Sequence, residues 1–237
     1  MIFIKLILAH LLGDFIFQPT SWVRDKEKNR EKSLYLYLHV FVHFLLAMLL
    51  LWNLKLWWIA AIIAATHYLI DWAKLKFQKK NTQRSWFIWD QILHFTVIVI
   101  ISFGFSFNEW RYYNFEFILP YLTGFLFLTV PSSIIIKNLI SYWVPDPSDK
   151  DAIQTESLVN AGKYIGILER LLVFAFITVD HWEGVGFMIA AKSVFRFSDL
   201  AQARQRKLTE YVLIGTLLSF GIAILTGMII ELSYTNQ

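Results

Sequence analysis

The sequence contains no cysteine, so disulfide bridges, thiolate metal sites and cysteine nucleophiles are excluded. It also lacks a G-x-S-x-G motif, the usual signature of a serine hydrolase nucleophile. Charged residues make up only 17% of the chain, whereas hydrophobic residues reach 57%, above the level of about 45–50% found in soluble domains. Together with a mean hydropathy of +0.49, this composition predicts an integral membrane protein.

The net charge of +4 does not indicate a nucleic-acid-binding protein, because the basic residues lie in short loops between apolar segments. This distribution is typical of the positive-inside pattern of membrane proteins. The expected partner is therefore the lipid bilayer, and we expect no nucleic acid among the partners.

Eight apolar segments have a composition typical of membrane helices. They cover residues 2–18, 33–53, 56–73, 86–106, 115–143, 163–179, 184–198 and 211–231. The fifth contains Pro120 and Pro131, which predicts a kink, and the sixth and seventh are short enough to form a hairpin that does not cross fully. The predicted fold class is an all-α polytopic transmembrane helix bundle with about eight spans.

Basic residues alternate between the loops, which predicts the orientation of the chain. The loops before segments two, four and eight are rich in Lys and Arg, whereas the loops between them hold few. The basic residues are Arg24, Lys26, Lys28, Arg30, Lys32, Lys74, Lys76, Lys79, Lys80, Arg84, Arg204, Arg206 and Lys207. By the positive-inside rule these loops are cytoplasmic, and both termini lie outside the cytoplasm.

One stretch of the sequence is predicted to be a linker between two membrane parts. Residues 144–162 begin with Pro and Asp residues that do not continue a membrane helix, and they are predicted to form a cytoplasmic linker. They separate a transmembrane bundle over residues 1–143 from a three-helix membrane part over residues 163–237.

Histidine and aspartate residues recur in pairs four positions apart within the first four apolar segments. The pairs are His10/Asp14, His39/His43, His67/Asp71 and Asp90/His94. Positions i and i+4 share a helix face, so each pair aims two ligand atoms at one point. Ionisable groups inside a membrane are costly and rare, and they indicate a functional site.

The predicted orientation places all four pairs at one depth. Each pair lies about two to ten positions from the cytoplasmic end of its segment, which is roughly 3–15 Å at 1.5 Å per residue. Four antiparallel helices would bring the eight groups into one plane, as in helix-bundle metal sites. We therefore predict one or two divalent ions, with Zn, Mn and Fe all compatible with mixed imidazole and carboxylate ligands. A proton or ion relay and purely structural hydrogen bonds are the alternatives.

Other polar residues are candidates for supporting roles. Gln18 and Gln91 are predicted to orient the metal ligands without binding the metal themselves. A second group lies in the C-terminal part and forms either an anion-binding site or an ion-pair network. Its members are Lys163, Glu169, Arg170, Lys192, Arg196 and Glu210. The ion-pair network, in which Glu169 and Glu210 neutralise Lys192 and Arg196, is the favoured interpretation.

Several motifs resemble a bacterial family of polytopic inner-membrane proteins known only as a domain of unknown function, family 3307. The resemblance includes the longer C-terminal half found in some members. It rests on His10-Leu-Leu-Gly-Asp14 with Gln18, His67-Tyr-Leu-Ile-Asp71, Asp90-Gln-Ile-Leu-His94 and the later segments 165–170, 190–197 and 210–219. It implies a multi-pass protein of the bacterial inner membrane and no established activity. A looser likeness, to membrane-bound metal-dependent hydrolases, rests on motif style alone.

The leading functional hypothesis is a metal-dependent hydrolase of an amphiphilic ester or phosphoester at the cytoplasmic membrane surface. A divalent ion supplies a water nucleophile near neutral pH, and Asp14, Asp71 or Asp90 would act as general base. The alternatives are a divalent-cation or proton transporter, a di-iron oxygenase and a non-catalytic sensor or assembly protein that uses metal for folding. Transport is disfavoured because the outer halves of the first four segments are almost purely apolar.

Overall fold

The computed structural model describes residues 2–105, 118–141, 156–200 and 206–235. Within these ranges the chain is helical and forms no strand, which confirms the all-α fold class. The helices are α1 Ile2–Leu11, α2 Thr20–Asn29, α3 Leu34–Leu51, α4 Trp57–Phe77, α5 Gln83–Phe105, α6 Ile118–Phe127, α7 Val130–Ile140, α8 Glu156–Thr178, α9 Trp182–Leu200 and α10 Arg206–Thr235.

Four helical stretches are long and apolar enough to cross a membrane: Leu34–Leu51, Leu54–Phe77, Gln83–Gly104 and Glu210–Ser233. Two bent pairs, α1 with α2 and α6 with α7, raise this number to six if each pair counts as one span. Among the described residues, α8 and α9 do not meet the same criteria. The count of eight spans and the side of the termini therefore stay predictions.

The first apolar segment ends sooner than its hydropathy indicates. α1 passes into a π-helical turn at Leu12–Ile16, and the chain then bends by 82° into α2. The sequence suggested only a basic loop here. A helix forms because Pro19 supplies a fixed backbone angle at its start, with φ −62°, and because Arg, Lys and Glu are good helix formers.

The predicted kink of the fifth segment is present. α6 and α7 are separated by a short break and differ in direction by 41°. Pro131 lies in the first turn of α7, where its missing N–H costs no helical hydrogen bond.

The chain divides into two compact units, Met1–Thr123 and Gly124–Gln237. In unit 1, α1 and α4 each pack against both α3 and α5, so that the four helices surround a common interior. In unit 2, α10 packs against α7 and α8, and α9 packs against α8. Most of the predicted linker lies outside the described residues, and its last part, from Glu156, is already within α8.

An apolar layer fills one half of the interior of unit 1. It is contributed by the same four helices, and its buried members are Leu6, Ala47, Leu51, Ile59, Ala60, Ile63, Ile98 and Ile101. On α1 and α4 these residues precede the His/Asp pairs, and on α3 and α5 they follow them. Because neighbouring helices run in opposite directions, the apolar residues form one layer and the His/Asp pairs form the next.

Candidate metal centre

The eight paired His and Asp side chains all face the interior of unit 1. They lie on four elements: α1 with the π turn that follows it, α3, α4 and α5. Six of them are buried with at most 5% of their surface exposed, namely His39, His43, His67, Asp71, Asp90 and His94. His10 and Asp14 are half-buried.

The π-helical turn positions Asp14 within this interior. Phe17 N–H donates to the carbonyl oxygen of Leu12 at 2.8 Å, a bond that spans five residues instead of four. Such turns inside helices are frequently found at functional sites. The turn also contains Gly13, where an added Cβ would lie 2.5 Å from His43 Nε2. Only glycine therefore allows the backbone of the turn to approach this imidazole so closely.

The carboxylate of Asp14 lies close to three imidazole rings. Its Oδ1 lies 3.0 Å from His43 Nε2, 3.2 Å from His39 Nε2 and 3.5 Å from His67 Nε2. His39 and His67 also approach each other, with 2.9 Å between their Nε2 atoms. Donors bound tetrahedrally to one zinc ion at about 2.0–2.1 Å lie roughly 3.3 Å apart. The observed separations scatter around this value.

Three overlapping groups bring together atoms able to hold a metal ion. In each group, one ligand atom per residue lies within 4.8 Å of every other. The groups are His10/Asp14/His43/His67, His39/His67/Asp71 and Asp14/Asp90/His94. The second and third share no residue, so they could hold two ions at the same time. The first offers four ligands to a single ion.

Two buried atoms on α5 are left without a hydrogen bond among the described residues. They are Asp90 Oδ1 and His94 Nε2, which lie 3.5 Å apart. His94 Nε2 also lies 3.8 Å from Asp71 Oδ1. A buried polar group without a partner costs about 1–3 kcal/mol, so with a neutral His94 this arrangement is unfavourable unless something binds there. A cation placed between the two atoms satisfies both.

A cavity of about 10 Å³ adjoins the histidines at the boundary with the apolar layer. His10, His67 and His94 contribute to its walls, with Ile63 and Ile98 on the apolar side. Its volume is close to the minimum that one water molecule needs. The cavity therefore holds no more than one water molecule.

Two lysines that sequence analysis placed in loops lie in the site. Lys26 Nζ donates to Asp71 Oδ2 at 2.8 Å, and Lys74 Nζ donates to Asp90 Oδ2 at 2.9 Å. Lys74 lies one turn beyond Asp71 on α4, so its helical spacing was a usable signal. Lys26 comes from α2, 45 residues before its partner, and no local pattern indicates the pair.

Asp14 is the exception among the three carboxylates. Within the described ranges it has no lysine partner, and imidazoles and Gln91 surround it instead. Among the described residues, no lysine or arginine neutralises the charge of the Asp14 carboxylate, whereas Asp71 and Asp90 each pair with a lysine. Asp14 is therefore the carboxylate that attracts a metal ion most strongly.

The two glutamines predicted to support the ligands differ in their contacts. Gln91 Nε2 donates to Asp14 Oδ2 at 3.1 Å and to Asp90 Oδ2 at 3.2 Å, while its Oε1 lies 3.4 Å from His10 Nε2. This bridging geometry is the one expected of a residue that orients ligands. Gln18 Nε2 is buried and has no hydrogen-bond partner among the described residues, so no contact of that amide nitrogen supports the same role.

The residues of the predicted C-terminal group are spread through unit 2. Lys192 Nζ forms an ion pair with Glu169 Oε2. Lys163 and Glu210 are exposed, and the side chain of Arg196 lies outside the described residues.

Arg170 contacts the break between α6 and α7, and its place in the predicted C-terminal group stays a prediction. It is buried, and its Nε donates to the carbonyl oxygen of Leu128 at 2.7 Å, while Nη2 donates to that of Thr129 at 3.2 Å. The guanidinium also donates to Ser133 Oγ and Ser219 Oγ. It thus donates to two carbonyl oxygens at the break between α6 and α7, and that of Thr129 also accepts from Ser133.

Residues 2–119 match the model of the family described as "Protein of unknown function (DUF3307)", so the N-terminal half of the chain belongs to this family. The match confirms the resemblance for the motifs within residues 2–119, which include all eight His and Asp residues of the candidate metal centre. The resemblance of segments 165–170, 190–197 and 210–219 lies outside the matched range and stays a prediction. No curated protein and no solved structure matches the chain. The family description names no activity, so the side chains of the site are the evidence on function.

Proposed function

We propose that unit 1 binds two divalent ions and hydrolyses an amphiphilic ester or phosphoester at the cytoplasmic face of a bacterial inner membrane. The observation that carries the proposal is the pair of unsatisfied buried atoms, Asp90 Oδ1 and His94 Nε2, beside a carboxylate encircled by imidazoles. Neither atom has a hydrogen bond among the described residues, and they form an ion pair with each other only when His94 is protonated, whereas metal coordination satisfies both without that proton.

The three-ligand groups fit catalysis better than the four-ligand group. Catalytic zinc sites keep three protein ligands and one open position, whereas closed sets of four are structural. His39/His67/Asp71 and Asp14/Asp90/His94 are each such a set of three, and they can be filled together. Paired ions of this kind supply a water nucleophile at neutral pH and polarise the scissile group.

The residues around the ions have separate tasks in this proposal. Asp14 binds metal, since it has no protein cation to neutralise it. Asp90 is held by Lys74 through Oδ2, which leaves Oδ1 to bind an ion, and the proton of the attacking water passes to solvent. Water adds to the ester phosphorus or carbon, the bond to the leaving oxygen breaks, and that oxygen is protonated from solvent.

The apolar layer supports a hydrolase over a transporter. It closes the interior of unit 1 directly beyond the histidines, with Leu6, Ala47, Ile59 and Ala60 at most 2% exposed. An ion or proton path needs polar groups on both sides of the site. Access is therefore expected from the side of α2, which sequence analysis assigns to the cytoplasm.

Metal analysis of the full-length protein in detergent tests the proposal. Wild-type protein loaded with Zn or Mn and then desalted should retain two ions per chain. His67→Ala should lose half or more, because His67 belongs to one of the two groups directly and packs against both. His181→Ala is the matched control, since His181 is exposed in unit 2 and should leave the metal content unchanged.

Activity is measured on the same samples with octyl 4-nitrophenyl phosphate in mixed micelles, by release of nitrophenolate. Wild-type protein should hydrolyse it, and both a chelator and the His67→Ala change should abolish the reaction. A wild-type protein that retains no metal under any loading condition would end the hydrolase proposal. So would hydrolysis that persists unchanged after metal removal.

A further inference from the structure

A second cavity, of about 500 Å³, lies in unit 1 outside the His/Asp cluster. Its volume is within the range of about 300–1,000 Å³ that ligand pockets have. Its walls are formed by α2 and the turn after it, by the last residues of α4 and the stretch after it, and by the start of α5. The hydrolysis proposed above does not by itself use this cavity.

The walls of the cavity carry an excess of positive charge. Among the described residues that line the cavity there is one carboxylate, Glu27. The four cationic residues of the lining are Arg24, Lys28, Arg30 and Lys79. All four are exposed, and in the described part of the chain none of them forms a salt bridge within 4.0 Å. Cations gathered around a concave surface raise the local positive potential and attract anions. The guanidinium groups add a geometry that matches phosphate oxygens.

The cavity lies close to the metal centre along α4. Leu75 and Gln78, which line it, follow Asp71 by four and seven residues and therefore lie on the same helix face. At 1.5 Å per residue, they are about 6–11 Å from Asp71 along the helix axis. On the other wall, Lys26 reaches Asp71 from the same helix that presents Arg24 and Lys28 to the cavity.

We infer that this cavity binds the phosphate group of an organic phosphate and holds it one to two helical turns from the metal centre. The phosphate belongs either to the headgroup of an anionic phospholipid or to a water-soluble compound. The link to catalysis rests on the proposed hydrolase and narrows its substrates to compounds with an anionic group beside the scissile ester. Binding of the anion itself does not require the hydrolase.

Inorganic pyrophosphate serves as the probe, with full-length protein in nanodiscs of phosphatidylcholine and binding measured by calorimetry. Three proteins are compared: wild type, the cavity variant Arg24→Gln/Lys28→Gln, and the control variant Lys32→Gln/Lys76→Gln. The control removes the same charge from exposed positions on the same predicted side of the membrane but outside the cavity. The wild type should bind saturably, the cavity variant about tenfold more weakly, and the control within about twofold of wild type.

A second set of nanodiscs containing phosphatidic acid distinguishes the two sources of phosphate. Weaker pyrophosphate binding to wild type in these nanodiscs assigns the cavity to a lipid headgroup, and unchanged binding assigns it to a soluble phosphate. The inference is overturned if the wild type shows no saturable binding, or if the cavity and control variants weaken it equally. Metal content is measured on the same samples: wild-type protein that binds pyrophosphate but no metal overturns the hydrolase and leaves the anion site standing.

Discussion

Lys26 and Asp71 form a buried ion pair, with 2.8 Å between Nζ and Oδ2, although 45 residues separate them. The pair fastens α2 to α4 beside the candidate metal centre. Removing the lysine leaves a buried carboxylate without its cation, and breaking a buried pair in this way costs about 3–5 kcal/mol. Lys26→Met should therefore lower the unfolding temperature of protein kept in chelator, as measured by intrinsic tryptophan fluorescence.

Added metal should restore part of this loss, because a divalent ion near Asp71 replaces the missing positive charge. The matched control is Lys192→Met, which removes a lysine from the ion pair with Glu169 in unit 2. That variant should also be less stable, but its unfolding temperature should rise on metal addition no more than that of wild type. An equal response of the two variants to metal would contradict the assignment of Asp71 to the site.

The two ways of filling the ligand groups make opposite predictions for single histidines. With one ion in each three-ligand group, His39→Ala and His94→Ala should each remove about half of the metal, and His43→Ala should remove little. Elemental analysis of desalted protein measures this. If His43→Ala removes all of the metal and His39→Ala removes none, one closed four-ligand site is present, and a structural role replaces catalysis.

Gly13→Ala tests the close approach of the π turn to His43. The new methyl group would overlap the imidazole ring, so the ring has to move away from Asp14 Oδ1. We expect reduced metal content and altered metal spectroscopy in a Co-loaded sample. Gly104→Ala is the control: a Cβ there meets nothing within 4 Å, and metal content and stability should be equal to or better than those of wild type.

The orientation of the chain is tested by reporter fusions. A fusion within residues 74–84 should report the cytoplasm, and a fusion after Gln237 should report the opposite side, because of the distribution of basic residues between the loops. A cytoplasmic C-terminus would show that the number of spans after residue 84 is not the one predicted. A residue 74–84 reporter on the outer side would place the metal centre on the other membrane face.

The sequence predicted the helical class and the convergence of the eight His and Asp residues because both depend on local rules. Spacing of four residues fixes a helix face, and apolar length fixes a span, so the pairs on α3, α4 and α5 could be placed without a structure. The predicted kink in the fifth segment likewise followed from local residues, Pro120 and Pro131, and the break lies next to Pro131.

What the sequence did not predict depends on contacts between distant segments. The chain bends by 82° after Ile16 into α2, and from α2 Lys26 contacts Asp71 on α4. The hydrogen bonds from Arg170 to carbonyl groups at a helix break 41 to 42 residues earlier were not predicted either. In both cases neither partner lies in a sequence pattern that identifies the other, so composition and spacing could not predict these contacts.

The order in which the ligands occur along the chain has a consequence for biosynthesis. The groups that use His10, Asp14, His39, His43, His67 and Asp71 are complete once α4 has been made, whereas Asp90 and His94 arrive only with α5. On the proposed metal binding, a nascent chain that contains α1 to α4 would already have a complete ligand group, and α5 would close over the ion afterwards. Metal supply during synthesis would then determine whether α5 docks against a filled or an empty interior.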